Sequence, residues 1–258
     1  FQAEDGIRDC LLSRGLGDVY KRQVSNRLAD SDRDAVILAG NQRVLRARLA
    51  DAEFFWDEDR KTPLDAMLPR LANITFYEGL GSVQDKAMRM ENLVAHMAPA
   101  IPHCNAEMAA HAAKLAKADL VSGMVGEFPE LQGIMGGHYA RHHGVAAQVA
   151  DAIEQHYRPK GADDGIPDCA TGLVVSLADK IDSLVGFFGV GAKPTGSKDP
   201  FALRRAALGV IRIIREQNLR LALRPLLVAA ASAHGFVRSP SGCLRVCADP
   251  YVRHHHQP

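Results

Sequence analysis

The sequence predicts a mainly α-helical protein, and three observations carry that reading. From Ser82 onward, apolar residues recur every three or four positions, the period of a helix with one buried face. Only one stretch, Asn73-Ile-Thr-Phe-Tyr, has clear β character, and Gly79 and Gly81 end it. Asp199-Pro200 is a helix-start signal, since Asp suits the N-cap and Pro the first helical position.

The elements follow in order. Residues 1–23, FQAEDGIRDCLLSRGLGDVYKRQ, carry scattered charges and no sustained apolar period. They resemble translated sequencing-adapter DNA and are expected to be a non-native segment. Residues 24–80 form a small mixed region. In it Val44, Leu45 and Leu49 fall at helical spacing among Arg43, Arg46 and Arg48, and Pro63 punctuates the DEDRKTP run. Residues 81–191 hold the clearest stripes: Val83, Ala87, Met90 and Leu93–Val94; Met108, Ala112 and Leu115; Val145, Val149, Ile153 and Tyr157; and Leu173, Leu177, Ile181, Leu184 and Phe188. Asp179 lies roughly 200° around the last helix from Leu177, so it faces solvent or a second contact surface. Gly186 to Lys198 reads as a loop. Residues 192–236 begin a further helical region, with Leu203, Ala207, Val210 and Ile214 on one face and Arg204, Arg205, Arg212 and Arg215 opposite. Residues 237–258 turn abruptly rich in Arg, Pro, Ser, Cys and His, and are expected to be a frameshifted or disordered tail.

Composition limits the function classes. A formal net charge of +1 gives no whole-molecule attraction to nucleic acid, so any such binding must come from local patches. Cys10, Cys104, Cys169, Cys243 and Cys247 form no CxxC pair and are odd in number, which fits a reducing cytoplasm better than a disulfide framework. No apolar run is long enough to cross a bilayer, so no membrane partner is expected.

Chemistry concentrates between Asp119 and His143, DLVSGMVGEFPELQGIMGGHYARHH. His138 and His142 are an i, i+4 pair, but Tyr139 stands where HExxH places its glutamate, and a surface pair is the plainer reading. Neither a phosphate-binding glycine loop nor a G-x-S-x-G elbow occurs, and neither Cys104 nor Cys169 has a distinctive setting. No catalytic residue and no metal ligand is therefore assigned. Asp119 in KADL and Asp179 in LADKIDSL resemble the HD superfamily, helical metal-dependent phosphohydrolases marked by a His, a His-Asp pair and a distant Asp. Ala118 stands where the paired His belongs, so such a domain is degenerate and Asp119 and Asp179 are vestigial positions.

Five strings in order are more specific: GNQRVLRARLADAEFFWDEDRKTPL (40–64), EGLGSVQDKAMRM (78–90), KADLVSGMVGEFPELQGIMGGHYARHHG (117–144), LADKIDSLVGFFGVG (177–191) and SKDPFALRRAALGVIRII (197–214). Together they closely resemble the β subunit of the bacterial tetrameric glycyl-tRNA synthetase, as an internal fragment. The resemblance implies a degenerate HD-type helical domain at 81–191, preceded by part of the amino-terminal region and followed by the start of a helical anticodon-binding region. It implies a non-catalytic, tRNA-binding chain with no cofactor of its own. The partner α subunit, in an α2β2 assembly, would hold the aminoacylation pocket and use ATP and Mg. Lys193, Lys198, Arg204, Arg205, Arg212, Arg215, Arg141 and His142 are the candidate RNA contacts, with Arg43, Arg46, Arg48, His138 and Tyr139 behind them. Two other functions compete: a metal-dependent HD-family phosphohydrolase, and a helical scaffold with no separable activity.

Overall fold

A computed structural model describes residues 7–8, 23–24, 31–195, 199–238 and 244–246. Among the described residues it is mostly helical, with three two-stranded antiparallel pairs, and the chain divides into two compact units at residues 57 and 58. In the first unit, β1 (Ile7–Arg8) pairs with β2 (Gln23–Val24), and most of the long helix α1 (Ser31–Asp59) follows. The apolar positions predicted to form its stripe are not buried: Val44 and Leu49 are exposed, as are Val36 and Phe54. The sequence pattern there marks a helix but not a core face.

The second unit contains α2 (Leu64–Met67), β3 (Thr75–Tyr77), β4 (Gly81–Ser82), α3 (Val83–Met97), α4 (Ala106–Leu115), α5 (Gly123–Glu127), α6 (Ile134–His142), α7 (Ala147–Gln155), α8 (Ala170–Gly189), α9 (Leu203–Glu216) and α10 (Leu223–Ala233). Strand β5 (Phe236–Arg238) pairs with β6 (Leu244–Val246). The β-like segment predicted at 73–77 is β3, and its glycine-bounded turn leads into β4. Apart from these strands, the segments 1–23 and 237–258, including Cys10, Cys243, Cys247 and the His254–His256 run, lie outside the described residues.

Helix α3 starts where its capping chemistry dictates. Ser82 Oγ accepts from the Asp85 amide at 3.2 Å, and Asp85 Oδ2 accepts from the Ser82 amide at 2.7 Å, a reciprocal capping box. The backbone hydrogen bond from Ser82 holds the Asp85 carboxyl below the usual range. Val83, Ala87, Met90, Leu93 and Val94 are buried, as the stripe predicted.

Helix α8 is the centre of the unit. Every residue from Thr171 to Asp182 is buried, and the helix packs against α3, α4, α7, α9 and α10. It runs to Gly189, so the loop predicted from Gly186 begins four residues later, at Val190. Asp179 therefore faces a second contact surface, not solvent.

Helix α9 starts at Leu203 rather than at Pro200, with Ala202 left-handed at φ 55° before it. Asp199 still caps the helix from a distance: its two carboxylate oxygens accept from the amides of Leu203 and Arg204 at 2.8 and 2.9 Å. Leu203, Val210 and Ile213 are buried, so the stripe ends at Ile213 where Ile214 was predicted. Phe201, just before α9, stacks on Phe187 of α8 at 4.3 Å and meets Tyr77 of β3 at 5.2 Å.

Candidate functional site: a buried lysine–carboxylate cluster

The glycine-rich corner predicted to carry the chemistry is an internal anion cradle. Asp119 is fully buried in a 3-10 turn, Ala118–Val121, after α4. Its Oδ2 accepts from the amides of Gly133 at 2.6 Å and Gly136 at 3.1 Å, at the N-terminus of α6. Gly133 sits at φ 82°, where a side chain is strained. A Cβ on Gly136 would stand 2.8 Å from Ile153 Cγ2 and 3.1 Å from Asp119 Oδ2. The corner therefore needs glycines so that α7 and the carboxylate can approach the backbone. Asp119 Oδ1 has no hydrogen-bond partner, and burial pushes the carboxyl up to about 6 against the pull of the two amides. Asp59 secures the same corner from the end of α1. It accepts from the amides of Gly123 and Met124, both at 2.8 Å, and from the Tyr139 hydroxyl at 2.9 Å. Burial, with the Asp59 hydrogen bond, raises the Tyr139 phenol.

Asp179, the other position predicted to be vestigial, lies in a cluster of buried charge. Its Oδ1 is 3.1 Å from Lys86 Nζ and 3.0 Å from Lys117 Nζ. Lys86 also reaches Asp182 Oδ2 at 3.2 Å and Ser183 Oγ at 2.8 Å, with the Phe76 ring 4.6 Å away. Asp182 Oδ1 accepts from Arg89 Nε at 2.7 Å and lies 3.0 Å from His234 Nε2. Lys117 meets His156 Nε2 at 2.8 Å and the Tyr157 ring at 3.8 Å. Burial alone would raise both carboxyls. Lys117 and Lys86 instead hold Asp179 well below the usual range, and Lys86 and the hydrogen bonds from His234 and Arg89 lower Asp182. Burial lowers Lys117, and it brings Lys180 down to about 8 although Lys180 donates to the carbonyl of Arg158 at 2.8 Å.

This arrangement does not fit the divalent metal of an HD hydrolase. Ala118 offers no donor, and the Asp179 oxygen and the His156 nitrogen that could serve already lie within 3.0 Å of the Lys117 ammonium. Among the described residues, no group of three or more His, Cys, Asp or Glu side chains could hold a metal ion. His138 and His142 are both exposed on α6.

The predicted RNA contacts are spread over the surface. Lys193, Arg204, Arg205 and Arg215 are exposed, and the arginine sector of α9 also shows Leu208 and Ile211 to solvent. Arg212 pairs with Glu216 at 2.6 Å and donates to the carbonyls of Ala162 and Asp164, clamping the loop before α8. Arg141 pairs with Asp151 at 2.6 Å and Glu154 at 2.7 Å, and these contacts raise its pKa. His142 is exposed and meets the His143 ring edge-on. Arg43 and Arg46 are exposed on α1 and Arg48 is half-buried there, while Tyr139 is buried. Lys198 lies outside the described residues.

Sequence reasoning missed Lys86, Arg89, Lys117, His156 and Asp182. One signal was available: Lys86 lies on the stripe of Met90, Leu93 and Met97, where a solvated charge does not belong.

Helices packed around a set of buried ion pairs define a helical domain with a charged interior. Comparison with known proteins gives this class a family. Residues 20–250 match the family described as glycyl-tRNA synthetase beta subunit. Relatives named glycine--tRNA ligase beta subunit include one from Phenylobacterium zucineum, 54% identical over 200 residues, covering 76% of this chain and 30% of that protein. Another, from Acidithiobacillus ferrooxidans, is 53% identical, covering 78% and 29%. A third, from Rhodospirillum centenum, is 54% identical, covering 78% and 29%. The chain belongs to the glycyl-tRNA synthetase beta subunit family, whose members are named as subunits of an aminoacyl-tRNA synthetase. It spans about 30% of the length of the relatives it matches. Among the described residues, no helix is long and apolar enough to cross a membrane.

Proposed function

We propose that this chain is a tRNA-binding, non-catalytic part of a glycine–tRNA ligase, built on a degenerate HD-type helical domain. Aminoacylation, with ATP and Mg, belongs to a partner α subunit in an α2β2 assembly in the cytoplasm. The observation that carries this reading is the family match across residues 20–250. A second observation supports the non-catalytic half: the donors near the HD-like position lie within about 3 Å of the Lys86 and Lys117 ammonium groups. Lys193, Arg205 and Arg215 are exposed cations of the kind that neutralise phosphates.

The test is co-expression of the 258-residue chain with the α subunit of a bacterial tetrameric enzyme, followed by mobility shifts of glycine tRNA at several salt concentrations. The expected result is co-purification and a shift that weakens with salt. Replacing Arg205 and Arg215 by Ala should lower affinity and reduce the salt slope by about one for each phosphate no longer neutralised. A complex that neither forms nor shifts tRNA overturns the proposal. Phosphatase activity dependent on Mn or Zn and abolished by Asp119→Ala would establish the hydrolase instead.

A further inference from the structure

Lys117 Nζ is surrounded by groups that bind cations. Asp179 Oδ1 lies at 3.0 Å, His156 Nε2 at 2.8 Å, and the Tyr157 ring centroid at 3.8 Å. The imidazole is oriented from behind. Its Nδ1 is 2.6 Å from the Ile153 carbonyl, a hydrogen bond that requires the proton on Nδ1 and leaves Nε2 a lone pair facing Lys117. Burial, then the neighbouring ammonium, keeps this imidazole well below its ordinary pKa, so the lone pair persists through neutral pH. An imidazole fixed by a backbone carbonyl beside a carboxylate is how proteins prepare a metal ligand. Here a side chain of the protein itself fills the position.

The charge of the surroundings selects the occupant. Lys86 Nζ stands 3.1 Å from the same Asp179 oxygen, so a second cation already shares that ligand. Lys86, Arg89 and Lys117 balance Asp119, Asp179 and Asp182, which are all buried. Lys180 adds a further buried cation, its ammonium turned to the Tyr157 and Arg158 carbonyls. With Lys180 counted, four buried cations already outnumber the three carboxylates by one, so a second positive charge at the Lys117 position would widen that excess and press against Lys86.

We infer that Lys117 is a tethered ligand in an internal monovalent-cation site built by Asp179, His156 and Tyr157, and that the vacated site takes a primary alkylammonium ion in preference to a divalent metal. Lys117→Ala removes Cγ through Nζ, the atoms of n-propylammonium. The experiment is thermal melting of the 258-residue Lys117→Ala chain with n-propylammonium chloride, matched sodium chloride, 1-propanol, zinc chloride or manganese chloride. The expected result is a saturable rise of roughly 5 °C with n-propylammonium. The unaltered chain and the Lys117→Ala/His156→Phe double variant should not show it. An equal rise with 1-propanol overturns the inference, because only a cavity would have been filled. A larger rise with zinc or manganese overturns the charge argument, and no rise in a folded variant overturns the site. If Lys117→Ala stays unfolded under every condition, 15N shifts of His156 in the unaltered chain decide. An unprotonated Nε2 from about pH 5.5 to 8 supports the site, and a protonated Nε2 overturns it.

Discussion

Replacing Asp179 by Asn removes one charge from the centre of the cluster while keeping the side-chain shape. Two ammonium groups lie about 3 Å from one oxygen of Asp179, and the three side chains are 12%, 4% and 3% exposed. At an effective dielectric constant near 20, each pair is worth about 5 kcal/mol of gross Coulomb attraction. Most of that offsets the cost of desolvating three ions. Removing one partner still strands the others, which costs about 3–5 kcal/mol in comparable buried pairs. That is a large part of the ~5–15 kcal/mol by which a domain is stable, and it corresponds to a fall in Tm of roughly 6–15 °C. The assay is urea and thermal unfolding followed by helical circular dichroism, on Asp179→Asn, Lys86→Met and the double variant. The double variant should recover roughly 1–3 kcal/mol relative to the sum of the singles. The pH dependence has a fixed sign. Lys117 and Lys86 hold the folded-state pKa of Asp179 below its unfolded value, so this stability is present above pH 3.8 and is lost as pH falls further. A loss under about 1 kcal/mol at pH 7, with an unchanged urea slope, would refute the view that Asp179 anchors the cluster.

Asp119 should show the opposite sign. Its folded pKa near 6 lies above the unfolded 3.8, so stability should fall as pH rises between these values, by up to ~3 kcal/mol. Asp119→Asn should flatten that slope in urea titrations run at several pH values. Gly136→Ala should cost about 1–3 kcal/mol, since its Cβ meets Ile153 and Asp119, whereas Gly126→Ala meets nothing within 4 Å and should be neutral or slightly stabilising by calorimetry. Asp199→Ala should cost about 1 kcal/mol by loss of the cap on α9, and amide exchange at Leu203 and Arg204 should quicken.

Helices of the second unit such as α3, α7 and α9 were legible because each buries one face against a neighbour and repeats its apolar residues accordingly. The first unit was less so: α1 is helical by sequence, yet Val44 and Leu49 are exposed. The α9 start was misplaced because Asp199 caps through its side chain across an intervening turn, a geometry that adjacency in sequence does not encode. Asp119 and Asp179 were singled out in the sequence, but their partners were not. Lys86 and Lys117 are distant from Asp179 in sequence, and even a lysine on a helix stripe usually reaches solvent with its head. Only the packing of α3 and α4 against α8 makes them interior charges.

The cluster also has a consequence for how this chain can change over time. A buried ion network can often be exchanged whole for apolar side chains without loss, but each single replacement strands a charge. With Asp182 joined to Lys86, Arg89 and His234, and Asp179 joined to Lys86 and Lys117, every one-residue path out of the network passes through a strongly destabilised protein. The charges therefore persist by mutual obligation, and their retention among relatives would be no sign that they act on a substrate.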